Sequence, residues 1–261
     1  MRLVTWNINS VRLRLPLLIK LIDNLHPDVI CLQETKTIDD LFPRDPLQAL
    51  GYTAHIHGMK GYNGVAILSR RPLEDPQIHH RAGRMDCRHI SARVSGIHLH
   101  CLYIPAGGDI PDPALNDKFL HKLNLIDDVT RWFPATHTRS DNVIVCGDFN
   151  VAPLEHDVWS HKQLLDVVSH TPIEVEKLAQ FQDSLGWIDV ARTFVPGNEK
   201  CYTWWSYRNR DWRASNRGRR LDHMWVTPPL KPRLGSHDIL VDARDWDSPS
   251  DHVPVIVEIN D

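Results

Sequence analysis

The sequence predicts an α/β fold of mixed β-sheets covered by helices. Three observations carry that expectation. Short apolar runs of strand length recur from residue 3 to residue 259. Stretches whose apolar residues follow helical spacing lie between them. No repeat, charge block or Gly/Ser linker divides the chain, so residues 1–261 are read as one domain. With 261 residues, 42% of them hydrophobic, the chain can bury a real core. A chain of this size hides roughly 70–75% of its unfolded surface.

The elements follow in order. Residues 3–8 read as a buried strand. Residues 15–25 have helical apolar spacing, and Pro16 is tolerated in a first turn. Residues 28–32 form the next strand, with Gln33, Glu34, Thr35 and Lys36 at its end. Residues 52–56 and 64–69 read as strands joined by a turn holding Gly58 and Gly61. Residues 90–94 and 97–104 form a hairpin around Ser95-Gly96, and residues 114–133 form a helix with Leu115, Phe119, Leu123 and Ile126 on one side. Residues 143–146 are a strand that stops at Gly147-Asp148-Phe149-Asn150. Residues 155–186 read as mostly helical. Residues 202–207, 221–226, 239–241 and 253–259 close the chain as strands.

Composition excludes several classes of function. Thirty Lys and Arg against 33 Asp and Glu give a net charge of -3, which rules out a uniformly basic coat but not a local basic face. The apolar runs fall short of the ~18 residues that span a membrane. No charged segment followed by an apolar stretch opens the chain, so no secretory signal is expected. Cys31, Cys87, Cys101, Cys146 and Cys201 are scattered without a CxxC pair, and read as buried, reduced thiols of a cytoplasmic protein.

One pattern repeats. An apolar strand ends in one or two polar residues: Asn7 and Asn9, Glu34, Tyr103, Asp148 and Asn150; Asp222 and the pair Asp251-His252 precede apolar runs. Strand ends let a rigid sheet aim side chains at one point. Taken singly, such a carboxylate is usually a turn former or a helix cap. Taken together, with no GxSxG, Walker, GxGxxG or HExxH motif beside them, they suggest a shared site. Carboxylates and Asn amides are hard oxygen ligands that suit Mg²⁺ or Mn²⁺ better than zinc. Such a set fits water attack on a phosphate ester.

Residues 202–220 add a second feature. Tyr202, Trp204, Trp205, Tyr207 and Trp212 are interleaved with Arg208, Arg210, Arg213, Arg217, Arg219 and Arg220, opposed only by Asp211. Flat aromatic faces suit sugars and bases, and Arg forks suit phosphate. The plainer alternative is a solvated arginine loop whose tryptophans plug the core. Arg70, Arg71, Arg81, Arg84 and Arg88 would extend the positive face.

These residues resemble a known family. Asn7-Ile8-Asn9, Leu32-Gln33-Glu34-Thr35-Lys36, Gly64-Val65-Ala66-Ile67, Tyr103-Ile104-Pro105, Gly147-Asp148-Phe149-Asn150, Arg220-Leu221-Asp222 and Ser250-Asp251-His252-Val253-Pro254-Val255 are similar to the motifs of exonuclease III, the abasic-site endonuclease branch of the endonuclease/exonuclease/phosphatase superfamily. They arrive in the family's order and cover nearly the whole chain.

The resemblance implies a four-layer sandwich, two packed mixed sheets flanked by helices. It implies a Mg²⁺-dependent DNA repair phosphodiesterase, with Mn²⁺ able to substitute, that cuts 5′ of abasic sites and trims 3′ ends. Glu34 would be the main metal ligand, with Asn9 and Asp251 near the metal and Asn7 in support. Asp148 would orient or deprotonate water. Asn150, Tyr103 and His252 would contact the scissile phosphate, and Asp222 would hold the His252 ring. Trp204 would pack against the abasic sugar, and Arg208, Arg210, Arg213 and Arg217 would hold flanking phosphates. The implied partner is duplex DNA with abasic sites or damaged 3′ ends, met by a monomer away from any membrane. His223, the 151–186 segment and the compact 107–114 loop depart most from the family pattern and are expected to shape the DNA groove. The competing functions are an inositol-phosphate phosphatase or sphingomyelinase, and an inert scaffold of the same fold.

Overall fold

The computed structural model describes residues 1–260. It contains two six-stranded mixed sheets. In the first, the strands run Leu234–Ile239, Val255–Ile259, Arg2–Asn7, Val29–Gln33, Val65–Ser69, Thr53–His57. In the second they run Glu74–Arg81, Arg84–Val94, Ile97–Leu102, Val143–Asp148, Asp222–Val226, Ile188–Asp189.

The two sheets are topological twins. Each has one parallel pair, Arg2–Asn7 with Val29–Gln33 and Ile97–Leu102 with Val143–Asp148, and every other pairing is antiparallel. A parallel pair needs a long crossover. The helices Leu15–Leu25 and Asp117–Thr136 supply them, one per sheet.

Period-two alternation builds the layers. Leu3, Val29, Cys31, Ile144 and Cys146 point into the core between the sheets. Their neighbours Val4, Trp6, Ile30 and Leu32 meet Leu18, Leu21 and Ile22 of the first helix. Val143 and Val145 meet Ile126, Val129 and Phe133 of the second crossover helix and Leu178 and Phe181 of helix Pro172–Ser184. The result is helix, sheet, sheet, helix, the four layers expected.

The departures have physical causes. Strand Glu74–Arg81 carries Pro76 and is mostly exposed, so it has no apolar alternation to read; it is an edge strand, where proline is tolerated. The predicted strand at 239–241 lies earlier, at Leu234–Ile239, another exposed edge, and residues Val241–Asp245 form a 3₁₀ turn. The second crossover helix begins at Asp117 rather than 114 because Asn116 caps it, accepting from the Lys118 N–H. Of the 155–186 stretch, only Pro172–Ser184 is a long helix; Glu155–Asp157 and His161–Leu164 are single turns. Its start is fixed by Pro172 and by a capping box between Thr171 and Glu174. The predicted strand at 202–207 shrinks to Trp204–Trp205, paired with Gly218–Arg219.

Candidate active site

The twin topology places the site. The four strands of the two parallel pairs deliver their C-terminal ends to one edge of the sandwich, bringing Asn7 and Asn9, Glu34, Tyr103, and Asp148 and Asn150. The antiparallel neighbours contribute their starts, bringing Asp222 and the Ser250–His252 turn. The chain leaves three of these strands in left-handed backbone: φ is 48° at Asn9, 51° at Glu34 and 53° at Asn150. Asn tolerates that region, whereas Glu34 holds it at a cost of order 1–3 kcal/mol, a strain that clusters at functional sites. Gly147 is required for another reason. A Cβ there would stand 1.9 Å from the Leu102 carbonyl oxygen, so only glycine lets the parallel pair close just before Asp148.

Asn7 joins the sheets. Its amide nitrogen donates to Glu34 Oε1 and to Asp148 Oδ2, both at 2.9 Å. Tyr103 donates its hydroxyl to Glu34 Oε1 at 2.9 Å. Burial, with Glu34 and Asp148 beside it, drives the Tyr103 phenol far up, so it stays protonated and remains a donor. Lys36 lies 2.8 Å from Glu34 Oε2 and donates to Asn9 Oδ1 at 2.5 Å. Burial works to raise the Glu34 carboxyl, but Lys36 and Asn7 outweigh it and hold Glu34 below the usual range. Asn9 donates to Asp251 Oδ1 at 3.0 Å, and Trp204 Nε1 donates to Asp251 Oδ2 at 2.9 Å.

Asp148 is fully buried. It accepts from the Asn150 backbone N–H at 2.9 Å and from Asn150 Nδ2 at 3.0 Å. Asn150 Nδ2 also donates to the Ile104 carbonyl at 2.9 Å. Both amide hydrogens are then committed, so in this arrangement Asn150 orients Asp148 and does not offer a donor to phosphate. Tyr103 is likewise turned toward Glu34. Burial pushes the Asp148 carboxyl well up, helped by the nearby Asp222 and Glu34 charges.

His252 completes the group. Its Nδ1 lies 2.8 Å from Asp222 Oδ2, and Thr203 donates its hydroxyl to the same oxygen at 2.7 Å. Burial works to lower the His252 pKa, yet the Asp222 and Asp148 carboxylates overcome it and lift it to about 10. The ring is thus a cation at neutral pH. Its Nε2 stands 3.7 Å from Asp148 Oδ2, too far for a hydrogen bond, and so keeps a proton to give.

The donor set suits a divalent cation. Glu34, Asn7, Asn9 and Asp251 supply only carboxylate and amide oxygens, which are hard ligands. Oxygens of Glu34 and Asn9 already converge on one positive charge, the Lys36 ammonium. The residues fit a hard divalent ion. A second group, Asp148, Asp222 and His252, also gathers ligand atoms within 4.8 Å, but there the imidazole Nδ1 is taken by Asp222.

A cavity of about 620 Å³ opens above these residues, and Glu34, Asn150, Asp251, His252 and Trp204 are among its walls. The endonuclease/exonuclease/phosphatase family profile matches residues 4–252. The chain belongs to that family. Exodeoxyribonuclease III of Haemophilus influenzae is 30% identical over 99% of both chains. An AP endonuclease from Archaeoglobus fulgidus superposes with a TM-score of 0.93 at 31% identity, covering 100% of both chains. A 3′-5′ exonuclease from Neisseria meningitidis superposes at 0.92 with 32% identity, again over 100% of both. This places the chain in the exonuclease III branch of the endonuclease/exonuclease/phosphatase family, whose members depend on metal.

Within this family member the 202–220 segment divides in two. Trp204, Arg208, Arg217 and Arg219 line the cavity. Arg219 lies over the Trp204 ring at 5.3 Å and Arg217 over Trp159 at 4.7 Å. Trp205 and Trp212 are core residues, as the plainer alternative has it. Arg213 is exposed and paired with Asp245 at 2.5 Å and Asp242 at 2.6 Å, carboxylates distant in sequence, and is not among the cavity walls. Arg210 is not among the cavity walls. Arg220 is buried on Asp157 and Asp189, and Arg81 is buried over Trp132, so neither extends a basic face.

His223 is also corrected. It is buried, not a groove residue; Arg220 donates to its Nδ1 at 3.2 Å, its Nε2 lies 2.8 Å from the Val151 carbonyl, and it stacks on Phe149. The other two departures do reach the cavity, through Trp159, Val168 and Ser169 and through Gly108 and Asp109. Sequence reasoning gave no part to Lys36 or Thr203. Lys36 stood inside the Leu32–Lys36 motif. Thr203 carried no signal, because its role depends on the fold bringing it to Asp222.

Proposed function

We propose that this chain is a Mg²⁺-dependent DNA repair phosphodiesterase that cuts 5′ of abasic sites and removes 3′ blocking groups or nucleotides. The observation that carries the reading is a buried Asp148 facing a His252 held by Asp222, beneath a cavity walled by Trp204 and arginines. The named relatives agree: they are an exodeoxyribonuclease III, an AP endonuclease and a 3′-5′ exonuclease, and a 3′ phosphatase from Neisseria bound to product DNA hairpin superposes with a TM-score of 0.91 at 30% identity. Among the described residues, no helix is long and apolar enough to cross a membrane.

Glu34, Asn9 and Asp251, steadied by Asn7, would hold the ion. When bound, it neutralises charge on the phosphate in the transition state. The remaining work belongs to the chain. Asp148, raised by burial, takes the proton from the attacking water. His252 Nε2 donates to a phosphate oxygen, with Asp222 fixing the ring and preserving its charge. Asn150 and Asn7 hold Asp148 in register. An abasic nucleotide lacks stacking and is easier to extrude. Trp204 provides a wall for the bare sugar, while Arg208 and Arg217 hold backbone phosphates.

The test is cleavage of four substrates with and without Mg²⁺: abasic duplex, duplex with a 3′ phosphate, intact duplex and inositol phosphates. Activity on the damaged duplexes that EDTA abolishes, and that Glu34→Gln lowers by at least about 10²–10³, is expected. Full activity after thorough metal removal, or preference for inositol phosphates, overturns the reading.

A further inference from the structure

Lys122 and Glu174 take no part in this chemistry, yet both are completely buried. Charges in a protein interior cost several kcal/mol to desolvate, and an apolar pair of similar volume is often at least as stable. What distinguishes this pair is what it touches. Lys122, inside helix Asp117–Thr136, donates to Glu174, to the Asn150 carbonyl at 2.7 Å and to the Ala106 carbonyl at 3.3 Å. That uses all three ammonium hydrogens. Glu174, in the first turn of helix Pro172–Ser184, accepts from the Ser169 N–H at 2.9 and 3.0 Å and from the Thr171 hydroxyl at 2.6 Å.

Three loops therefore meet at one ion pair. They follow strand Ile97–Leu102, follow strand Val143–Asp148, and lead into helix Pro172–Ser184. Each places a residue in the cavity wall: Ala106, Asn150 and Ser169. Asn150 and Ser169 both sit at positive φ, 53° and 88°, and the Asn150 N–H and side chain aim Asp148. A residue in that conformation persists when its surroundings over-determine it.

We propose that Lys122 and Glu174 are a positioning pair for the active site, pinning the Asn150 peptide and the facing wall so that Asp148 is held on the attacking water. The inference rests on the role proposed for Asp148. An aliphatic pair would fill the same space but would give the Asn150 and Ala106 carbonyls no donor.

The experiment compares the full chain with Lys122→Met/Glu174→Gln, which removes both charges and leaves no unpaired ion. Lys122→Met alone strands a buried carboxylate and is expected to melt low. Three quantities are measured: thermal melting, kcat and KM on abasic duplex, and hydrogen exchange of the Asn150 N–H. The expected double variant is folded, with kcat down by about 10–100-fold, as misplacement of a catalytic group produces. Its KM stays within threefold, its Mg²⁺ dependence is unchanged, and Asn150 exchanges at least tenfold faster. Wild-type kcat with wild-type exchange at Asn150 overturns the proposal, as does a loss of activity that only tracks the unfolded fraction. If the double variant does not fold, Glu174→Gln alone is read at the Ser169 N–H, where unchanged exchange is the overturning result. A wild-type chain inactive on every damaged duplex defeats the functional reading instead, and exchange at Asn150 then decides the positioning by itself.

Discussion

Asp148 gathers the consequences of its place at the end of a buried strand. Two asparagines bind it, His252 faces it, and almost all of its surface is buried. Asp148→Asn keeps the shape and removes the proposed base. Turnover should fall by about 10²–10⁴ while DNA affinity stays within a few fold, as checked by single-turnover cleavage and by binding in EDTA. Near-normal turnover would hand the role to another group. The arginines separate at the same scale. Arg213 is occupied by two aspartates, whereas Arg217 lies over Trp159 at the cavity wall. Arg217→Ala should flatten the salt dependence of DNA binding by roughly one unit, and Arg213→Ala should leave it unchanged. Equal slopes for the two variants would refute that division.

The elements show what a sequence can carry. Three of the four strands of the parallel pairs, Arg2–Asn7, Val29–Gln33 and Val143–Asp148, are buried on both faces, so they read as largely apolar runs, and their polar exits stand out. That is why Asn7, Glu34, Asp148 and Asn150 were legible. The antiparallel starts at Asp222 and His252 were legible through their apolar continuations. Edge strands Glu74–Arg81 and Leu234–Ile239 were not, because exposed faces leave no alternation. Residues 202–220 were only partly legible for a different reason: whether an arginine meets the cavity or an aspartate depends on carboxylates far along the chain. Arg220 illustrates it. With Arg192 it encloses the buried Asp157, at 2.7 and 2.9 Å for the two Arg220 contacts, and these elements dock the 155–157 turn onto the strand at 222. Burial works to raise Asp157, but the two guanidinium groups win and hold it at about 2. Asp157→Ala should cost about 3–5 kcal/mol in urea unfolding, because it leaves a buried cation short of a partner. The depressed pKa gives stability that is whole above the unfolded value and is lost as pH falls toward 2. That acid loss should be missing from the variant.

The molecule as a whole has a second, milder acid sensitivity. His89 and His100 are buried and linked at 3.0 Å, His100 continues to His137 at 3.0 Å, and Arg81 donates to His89 at 3.0 Å. Since arginine can only donate, each neutral ring passes its proton outward along the chain. Burial, with the neighbouring imidazoles and Arg81, holds His79 at about 4 and His89 and His100 well below 6.5. Their folded pKa values are depressed, so the unfolded chain binds more protons between pH 6.5 and 4. Stability should be complete above pH 6.5 and decline across that window. Urea midpoints measured at half-unit steps should show the decline in wild type and a smaller one in His79→Gln. A flat profile there would mean that the rings are already charged in the fold.

Asn7 carries a last consequence. One carboxamide nitrogen holds Glu34 from one sheet and Asp148 from the other. The two carboxylates are thus held together across the space between the sheets, whose backbones stacked sheets keep near ~10 Å apart by the bulk of the side chains interleaved between them. The catalytic centre works as a caliper closed on the core. Cys31, Cys101 and Cys146 lie in that interleaved layer. A slightly larger residue at any of them should open the jaws, and a cleavage assay should register that change in packing made well away from the substrate.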